Sequence, residues 1–265
     1  MNKPQILISI DVEEFDLPLE YGQQISLHEQ LDIGYRGLTA LMPVFEKLKI
    51  PTTLFTTAQF AKHYPDVMHT LAQQHEIASH TFYHSQFNNE DLLQSRLELE
   101  RICKVPVIGL RIPRMRKVEI EDIRKAGYLY DSSLNPTWIP GRYNNLFAPR
   151  TIFNNEQLTI VPASVSPLLR LPLFWLAFKN YPYTFFLNLC KKIIKNDGYL
   201  CLYFHPWEFT SLQSCQIPKY TKRIDGKALI ERLEMLLNEL ALLGNYSTIQ
   251  SYLTEKNFIN NYEKS

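Results

Sequence analysis

The sequence lacks a clear excess of charge of either sign. Its 265 residues carry 28 Lys and Arg against 27 Asp and Glu, a formal net charge of +1. Such a balance argues against a surface that binds nucleic acid or another polyanion through its overall field, so any basic site must be local. The composition, 45% hydrophobic and 21% charged, is that of an ordinary globular protein with a sizeable core.

Cysteine pairs and a targeting segment are missing as well. The four cysteines, Cys103, Cys190, Cys201 and Cys215, lie far apart and form no C-x-x-C pair, so we expect buried free thiols. Only five apolar or small residues precede Asp11 after the polar start of the chain, which is too few for the apolar region of a signal peptide. We therefore expect a protein of the reducing cytoplasm.

The sequence also has no internal repeat, low-complexity tract or linker, and strand-like and helix-like segments alternate along its whole length. The strand-like runs are 6–10, 52–57, 76–80, 105–112, 128–131, 158–165, 198–205 and 246–252. The segments with an apolar helical face are 34–48, 65–74, 88–103, 119–126, 183–195 and 227–243, whereas 135–149 is rich in proline and predicted to be a loop. The alternation predicts one α/β domain over residues 1–265, with parallel strands arranged as a barrel.

Two histidines stand four residues apart in the stretch His80-Thr81-Phe82-Tyr83-His84, which follows an apolar segment. We interpret this stretch as a helical turn, because side chains at positions i and i+4 of a helix are neighbours. Two imidazoles on one side of a turn suit zinc or a similar divalent ion. The preceding strand would place them at a carboxyl end, where α/β folds keep their chemistry.

Other chemically capable side chains follow other predicted strands. Four carboxylates lie within residues 11–16, directly after the first strand, and their mutual repulsion is costly unless something compensates it. Arg111 ends the fourth strand, and His205 ends the strand 198–205. Because the carboxyl ends of barrel strands converge on one face, we expect these groups to meet the histidine pair there.

These segments resemble the motifs of the polysaccharide deacetylase family, the NodB-type carbohydrate esterases, through most of the chain. The matching segments are Ser9-Ile10-Asp11, His80-Thr81-Phe82-Tyr83-His84, Arg111-Ile112-Pro113, Tyr130-Asp131-Ser132-Ser133 and Tyr203-Phe204-His205-Pro206. The resemblance implies a distorted (β/α) barrel with fewer than eight strands. It also implies a hydrolase of linear amide C–N bonds that removes an N-acetyl group from a sugar, in cell-surface polysaccharide or glycan biosynthesis.

The resemblance assigns catalytic roles to three residues. Asp11 would be the catalytic base, Arg111 would hold that carboxylate, and His205 would be the general acid. We expect substitution of any one of them to lower the rate by orders of magnitude and to leave stability unchanged. The residue that orients His205 stays open among three candidates, Asp131, Asn135 and Glu208.

The resemblance further implies a divalent metal cofactor, with zinc as the first candidate. His80 and His84 would be two of its ligands. The family usually has two adjacent aspartates in the first motif and this sequence does not, so we predict Glu13 as the third ligand. Glu14 and Asp16 stay open as alternatives.

A local basic excess bears on the substrate. Arg114, Arg116 and Lys117 follow the predicted base-holder, and Arg142 and Arg150 lie in the proline-rich loop. Such a cluster suggests a phosphate or carboxylate near the site, although a solvated basic loop explains it equally well. The substrate-binding residues that we predict are Arg114, Arg142 and Trp207.

The stretch 167–189 is apolar and aromatic, but charged residues and prolines interrupt it, so it is not predicted to span a membrane. Core packing or an oligomer contact explains it, and so does a flap around Trp175 and Phe178 that rests on a membrane interface. The last interpretation predicts a peripheral protein at the inner membrane surface. Its substrate would then be an N-acylated sugar in a lipid- or phosphate-linked form, with no nucleic-acid partner.

Two alternatives to a sugar deacetylase stay open. The first is a related C–N hydrolase of the same broader superfamily, either a deformylase of lipid-linked aminosugars or a ureide amidohydrolase. The second, a saccharide-binding pseudoenzyme, is suggested by the irregular first motif. The sequence makes no prediction of the oligomeric state.

Overall fold

The computed structural model describes residues 3–260. Its strands are β1 (Gln5–Val12), β2 (Thr53–Thr56), β3 (Glu76–Ser79), β4 (Gly109–Leu110), β5 (Tyr130–Asp131), β6 (Trp138–Ile139), β7 (Tyr143–Asn144), β8 (Phe153–Asn155), β9 (Leu158–Ile160), β10 (Tyr199–Phe204) and β11 (Asn245–Ser247). Its helices are α1 (Leu27–Leu48), α2 (Ala58–His63), α3 (Pro65–Leu71), α4 (Glu90–Cys103), α5 (Ile120–Lys125), α6 (Trp175–Asn180), α7 (Tyr183–Asp197), α8 (Gly226–Ala241) and α9 (Ile249–Glu255).

One curved sheet organises these elements. Within residues 3–260, seven parallel strands follow one another in the order β10, β1, β2, β3, β4, β5 and β9. The short β11 pairs with the beginning of β1, and β8 runs antiparallel to β9 at the outer edge. The strand–helix alternation and the distorted (β/α) barrel with fewer than eight consecutive parallel strands are confirmed.

The barrel is distorted because β9 and β10 do not pair as strands. The chain instead continues past β9 until the Ser164 backbone N–H donates to the Cys201 carbonyl oxygen over 3.0 Å. The Cys201 backbone N–H donates in turn to Ser164 Oγ over 2.9 Å. The barrel therefore closes through the Ser164–Cys201 contact rather than through a ladder of paired strand residues.

The central strand β1 is buried along all eight residues because it has covered faces on both sides. Its even-numbered residues, such as Ile8, pack outward against the apolar faces of helices that include α1 and α8. Leu7 points into the barrel and packs with Phe55, Tyr130 and the α9 residue Leu253. Alternation along β1 therefore sends Ser9 and Asp11 into the barrel above an apolar plug.

Several boundaries differ from the sequence-based prediction. Helix α1 begins at Leu27 rather than at residue 34, because Ser26 caps it by accepting a hydrogen bond from the Glu29 N–H over 3.2 Å. The predicted strand 246–252 is wrong. Only β11 is extended there, and the Thr248 side chain caps α9 directly afterwards. The predicted loop 135–149 contains the β6–β7 hairpin, and α2 was not predicted.

The cysteine prediction is confirmed, since all four thiols are free and buried. In the part of the chain that the structure describes, no helix combines the length and the apolar character needed to cross a membrane.

Candidate active site

A cavity of about 370 Å³ opens at the carboxyl ends of the barrel strands. Its lining includes the predicted site residues, which are Asp11, Glu13, His80, His84, Arg111, Arg114, Arg142, His205 and Trp207. The strands bring these residues together from distant parts of the chain, as the convergence of strand ends in a barrel predicts.

Three side chains at the floor of the cavity share a single meeting point. Glu13 follows β1, and its Oε2 lies 3.0 Å from Nε2 of His80 and 3.0 Å from Nε2 of His84. All three side chains are buried, and their potential ligand atoms lie within 4.8 Å of one another. The predicted trio of Glu13, His80 and His84 thus converges with one donor atom from each residue.

The predicted helical turn around these histidines is wrong. Residues 80–84 form an irregular loop after β3, in which Thr81 has a positive φ of 62°. The Ser79 hydroxyl accepts a hydrogen bond from the Thr81 N–H over 3.1 Å, and the Thr81 hydroxyl donates to the Tyr83 carbonyl over 3.0 Å. These bonds fold the loop so that both imidazoles face Glu13 without a helix.

The outer sides of the two imidazoles also have partners. His80 Nδ1 lies 2.7 Å from the Arg111 carbonyl oxygen, so its N–H is directed there and Nε2 keeps a free lone pair for the cavity. His84 Nδ1 lies 2.9 Å from Asp16 Oδ1. Two oriented imidazoles and one carboxylate fit a divalent metal ion, and zinc accepts this donor set.

The alternative carboxylates occupy other positions. Asp16 contacts the far side of His84 and therefore orients a ligand rather than joining the convergent trio. Glu14 turns away and accepts a hydrogen bond from the Thr57 hydroxyl over 2.7 Å. Its burial raises the pKa of the Glu14 carboxyl to about 7.

The electrostatics of the trio favour a positive charge at its centre. Burial alone would raise the pKa of Glu13, but His84, His205 and His80 hold it well below its usual value. Burial alone would lower the pKa of His84, but Glu13 and Asp16 raise it to about 10. A metal ion supplies the same compensation as the histidine proton and competes with it.

Asp11 and Arg111 form a buried ion pair beside the trio. Arg111 is fully buried, and its Nη1 lies 2.5 Å from Asp11 Oδ1. Three further donors bind Ser9 Oγ at 3.0 Å and both the Ser132 hydroxyl and carbonyl, at 2.9 and 3.1 Å. The guanidinium also stacks on the Phe55 ring, 4.1 Å from its centroid. These contacts hold the guanidinium in place, and with it the Asp11 carboxylate.

His205 faces the same space from the end of β10. Its Nε2 lies 3.8 Å from Asp11 Oδ2, and its Nδ1 lies 3.1 Å from Glu208 Oε1. Glu208 also accepts from the His205 backbone N–H over 2.8 Å, because a 3-10 turn that begins at Pro206 folds it back. Among the three candidates for the orienting residue, Glu208 therefore occupies the position beside His205.

A further charge lies behind Glu208, and the sequence prediction missed it. Lys179 on α6 is buried, with Nζ 3.0 Å from Glu208 Oε2 and 2.9 Å from the Thr221 carbonyl oxygen. Burial alone would raise the pKa of Glu208, but Lys179 and His205 lower it. The pKa of His205 is raised by Glu13, Glu208 and Asp11 against the effect of its burial. A lysine inside an apolar, aromatic stretch was the available signal, since such a charge needs a buried partner.

The predicted substrate-binding residues differ in how firmly other side chains of the protein already hold them. Trp207 lines the cavity, but its indole N–H donates to Glu13 Oε1 over 3.0 Å and thereby fixes that carboxylate. Arg114 is tied to Asp16 at 2.9 Å and to Glu20 at 2.8 Å. Arg142 is half exposed at the cavity edge, and its nearest carboxylate, Glu20, lies 3.7 Å away.

The remaining basic residues of the predicted cluster lie outside this cavity. Arg116 and Lys117 line a neighbouring cleft. Arg150 makes a two-pronged contact with Asp197 at the end of α7 and does not face the site.

The predicted aromatic flap at 167–189 is wrong for its two named residues. Phe178 is fully buried in the core. Trp175 forms a wall of the cavity, with its ring centroid 5.2 Å from that of His205 and 5.2 Å from that of Trp207. These rings face inward because α6 packs against β10 and must bury Lys179 with its partner.

Residues 28–118 match the family model described as polysaccharide deacetylase. The match spans α1 through the segment after Arg111 and includes the His80–His84 motif. The predicted resemblance to this family is confirmed over these residues, and the match indicates a hydrolase that acts on amide C–N bonds. No curated protein matches the sequence significantly.

Three solved structures have a similar fold. A provisionally assigned polysaccharide deacetylase from Mycobacterium smegmatis superposes with a TM-score of 0.64 at 16% identity, over 97% of this chain and 91% of that one. A second, from Pseudomonas aeruginosa PAO1, gives a TM-score of 0.65 at 14% identity, over 97% and 92%. The Puue allantoinase gives 0.62 at 15% identity, over 97% and 92%. At these identities the likeness concerns the fold alone.

Proposed function

We propose that this protein is a metal-dependent hydrolase that removes the N-acetyl group from an amino sugar. The observation that carries the proposal is that three groups of side chains face one cavity. They are the trio Glu13, His80 and His84, the Asp11–Arg111 ion pair, and His205 with its Glu208 partner. The family match over residues 28–118 supports the same reaction class.

Amide hydrolysis needs an attacking water, a base, and an acid for the departing amine. Glu13, His80 and His84 would hold a divalent ion, zinc by preference, which would supply Lewis acidity and lower the pKa of the attacking water. Asp11 is suited to accept the water's proton, because Arg111 holds its Oδ1 and leaves Oδ2 towards the cavity. His205 then protonates the sugar nitrogen as the C–N bond breaks, and acetate and a free amine are the products.

The protonated form of His205 is the one that this role requires. Its Nδ1 contact with Glu208 favours the protonated ring, and Glu13, Glu208 and Asp11 raise the pKa of His205 against the effect of burial. Lys179 acts through Glu208 and is a positioning residue, because it does not reach the cavity floor.

Glycan biosynthesis in the cytoplasm is the setting that we propose. The four free, buried thiols support a reducing compartment. The partly unpaired Arg142 at the cavity edge supports a substrate with a phosphate, either as a nucleotide or as a lipid headgroup.

A related ureide amidohydrolase is the second candidate, and the fold likeness to the Puue allantoinase favours it. Both reactions break a C–N bond and need the same base and acid, so the substrate decides between them. A saccharide-binding pseudoenzyme would instead bind an amino sugar without turning it over.

The test is a substrate panel with the zinc-loaded protein. The panel contains N-acetyl and N-formyl amino sugars in free, nucleotide-linked and lipid-phosphate-linked forms, together with allantoin. Release of acetate that is abolished by a chelator and by Asp11→Asn, and kept in the exposed α3 control Asp66→Asn, supports the proposal. Turnover of allantoin alone, or sugar binding without turnover, overturns it.

A further inference from the structure

Strand β6, the turn after β7 and the loop around residues 168–169 expose large apolar side chains in an unusual number. Phe147 is 93% exposed, Leu168 81%, Leu169 76% and Trp138 60%. Single exposed apolar residues are normal on soluble proteins, but several on neighbouring loops mark an interaction surface. We call these four residues the apolar rim.

Hydrogen bonds hold these three segments together. The Arg170 guanidinium, at the base of the Leu168–Leu169 turn, donates from Nη1 to the Ala148 carbonyl oxygen over 2.9 Å. The Thr137 hydroxyl, beside Trp138, donates to the Arg170 carbonyl over 2.6 Å. The Asn145 N–H donates to the Thr137 carbonyl over 2.9 Å. The loop bases therefore form one fixed support, and the rim residues project from it.

The hairpin that carries Trp138 also lines the candidate active site. The β6–β7 hairpin begins with Trp138, and its residues Ile139 and Tyr143 line the 370 Å³ cavity. A molecule bound to the rim would thus be adjacent to that cavity.

Basic side chains lie on the other flank of the same hairpin. Arg116 and Lys117 are exposed and, with Arg142, line the cleft between residues 112–123 and the hairpin. In the described part of the chain, Glu20 near Arg142 is the one carboxylate within ion-pair distance of these three side chains. Glu20, Glu119 and Asp131 line the same cleft, so the exposed positive charge is that of the Arg116 and Lys117 side chains rather than of the cleft as a whole.

We propose that the apolar rim and these basic residues bind an anionic lipid surface. Loop tips with Trp, Phe and Leu enter the interface between headgroups and acyl chains, and neighbouring Lys and Arg contact the lipid phosphates. A second protein copy would bury the apolar rim but would leave the basic flank without its complement. On the basis of the proposed function, the substrate is then an amino sugar carried on a lipid phosphate.

Flotation with vesicles of phosphatidylcholine, with and without phosphatidylglycerol, tests the surface without reference to activity. We expect the full chain to bind the anionic vesicles and to dissociate as salt concentration rises. The variant Phe147→Ser/Leu168→Ser/Leu169→Ser should lose binding, and Leu242→Ser should keep it. Leu242 is 83% exposed at the end of α8, next to the opposite end of the barrel.

The charge contribution is measured separately. Each Lys or Arg near an anionic surface strengthens binding about fivefold, so Arg116→Ser/Lys117→Ser should weaken it about 25-fold. The pair Lys191→Ser/Lys192→Ser on α7 is the control with the same change in net charge. Circular dichroism, and turnover of a soluble substrate, identify variants that remain folded.

Three results would overturn the proposal. These are absence of wild-type binding, equal binding by the folded apolar-rim variant, and equal loss of binding in Leu242→Ser. A fourth contradicting result would come from analytical sedimentation. The wild type would be a dimer that does not bind vesicles, and the apolar-rim substitutions would dissociate that dimer. A failure of flotation with normal turnover of a soluble amino sugar would leave the proposed function intact.

Discussion

At the residue scale, two buried cations support the groups that face the cavity. Arg111 holds Asp11, and Lys179 holds Glu208, which in turn contacts His205. Removing one member of a buried ion pair leaves the other charge without compensation, at a cost of about 3–5 kcal/mol. The roles proposed for these pairs in catalysis therefore coincide with a structural role, contrary to the expectation that substitutions of Asp11, Arg111 or His205 leave stability unchanged.

Substitutions in the Asp11–Arg111 pair can separate its effect on activity from its effect on stability. We predict that Asp11→Asn lowers turnover about 1,000-fold, because the base is lost, and lowers the free energy of unfolding by about 3 kcal/mol. Asp11→Asn/Arg111→Met should recover much of that stability without recovering activity. Urea unfolding and acetate release measure the two effects, and unchanged stability in the single variant would contradict the structure.

Glu208, after Glu13, is one of the groups that raise the pKa of His205. Because the Glu208 carboxylate stabilises the protonated ring, Glu208→Gln lowers the pKa of His205, and the alkaline limb of the kcat/KM profile shifts to lower pH. The same substitution isolates Lys179 and should destabilise the fold, which Glu208→Gln/Lys179→Met relieves. A profile whose alkaline limb does not move would remove Glu208 from its orienting role.

At the element scale, helix α1 reaches the site through two glycines. A Cβ on Gly37 would lie 1.9 Å from the Pro206 carbonyl oxygen, and one on Gly34 would lie 2.7 Å from the Glu13 carbonyl oxygen. Real side-chain atoms do not approach backbone so closely. The helix therefore packs directly on the two segments that carry Glu13 and His205.

Alanine at Gly37 tests this packing. In an exposed helix the change from glycine would stabilise by about 1 kcal/mol, but here we expect a loss of about 1–3 kcal/mol and a fall in kcat as His205 moves. Thr39→Ala, on the exposed face of the same helix, is the matched control. A stabilised Gly37→Ala protein would mean that α1 does not contact Pro206 in this way.

The sequence predicted those elements whose signal is local. The apolar runs of β1 and β10 and the one-sided face of α8 identified strands and a helix, and the residues after them converged as a barrel requires. The His80–His84 loop was predicted as a helix because spacing alone does not separate a turn from a loop closed by Ser79 and Thr81. Lys179 was missed because its partner Glu208 is distant in sequence.

At the scale of the whole molecule, the barrel interior has layers along its axis. Leu7 and α9 close the end where the strands begin, and the Phe55 ring packs between them and the Arg111 ion pair. The trio Glu13, His80 and His84 lies at the open end. The apolar layer keeps water from the ion pair and strengthens its electrostatics. The open end leaves the trio accessible to a substrate.

Stability should depend on pH through His75, which is remote from the site. Burial lowers its pKa to about 4 from 6.5, and its Nδ1 accepts the Thr52 N–H at the start of β2. The unfolded chain therefore binds more protons between these values, so the free energy of unfolding decreases as pH falls from 6.5 towards 4. We predict a smaller decrease in His75→Asn, measured by urea unfolding at pH 7.5 and pH 5, whereas equal decreases would exclude His75 as the cause.

The central claim is that Glu13, His80 and His84 form one divalent-metal site, and metal stoichiometry tests it most directly. The wild type and the variants Glu13→Ala, Glu14→Ala and Asp16→Ala would be equilibrated with zinc, desalted and analysed for bound metal. We predict one ion per chain in the wild type and in Glu14→Ala, weakened retention in Asp16→Ala because His84 loses its orienting contact, and none in Glu13→Ala. Full stoichiometry in Glu13→Ala, with loss in Glu14→Ala, would contradict the account.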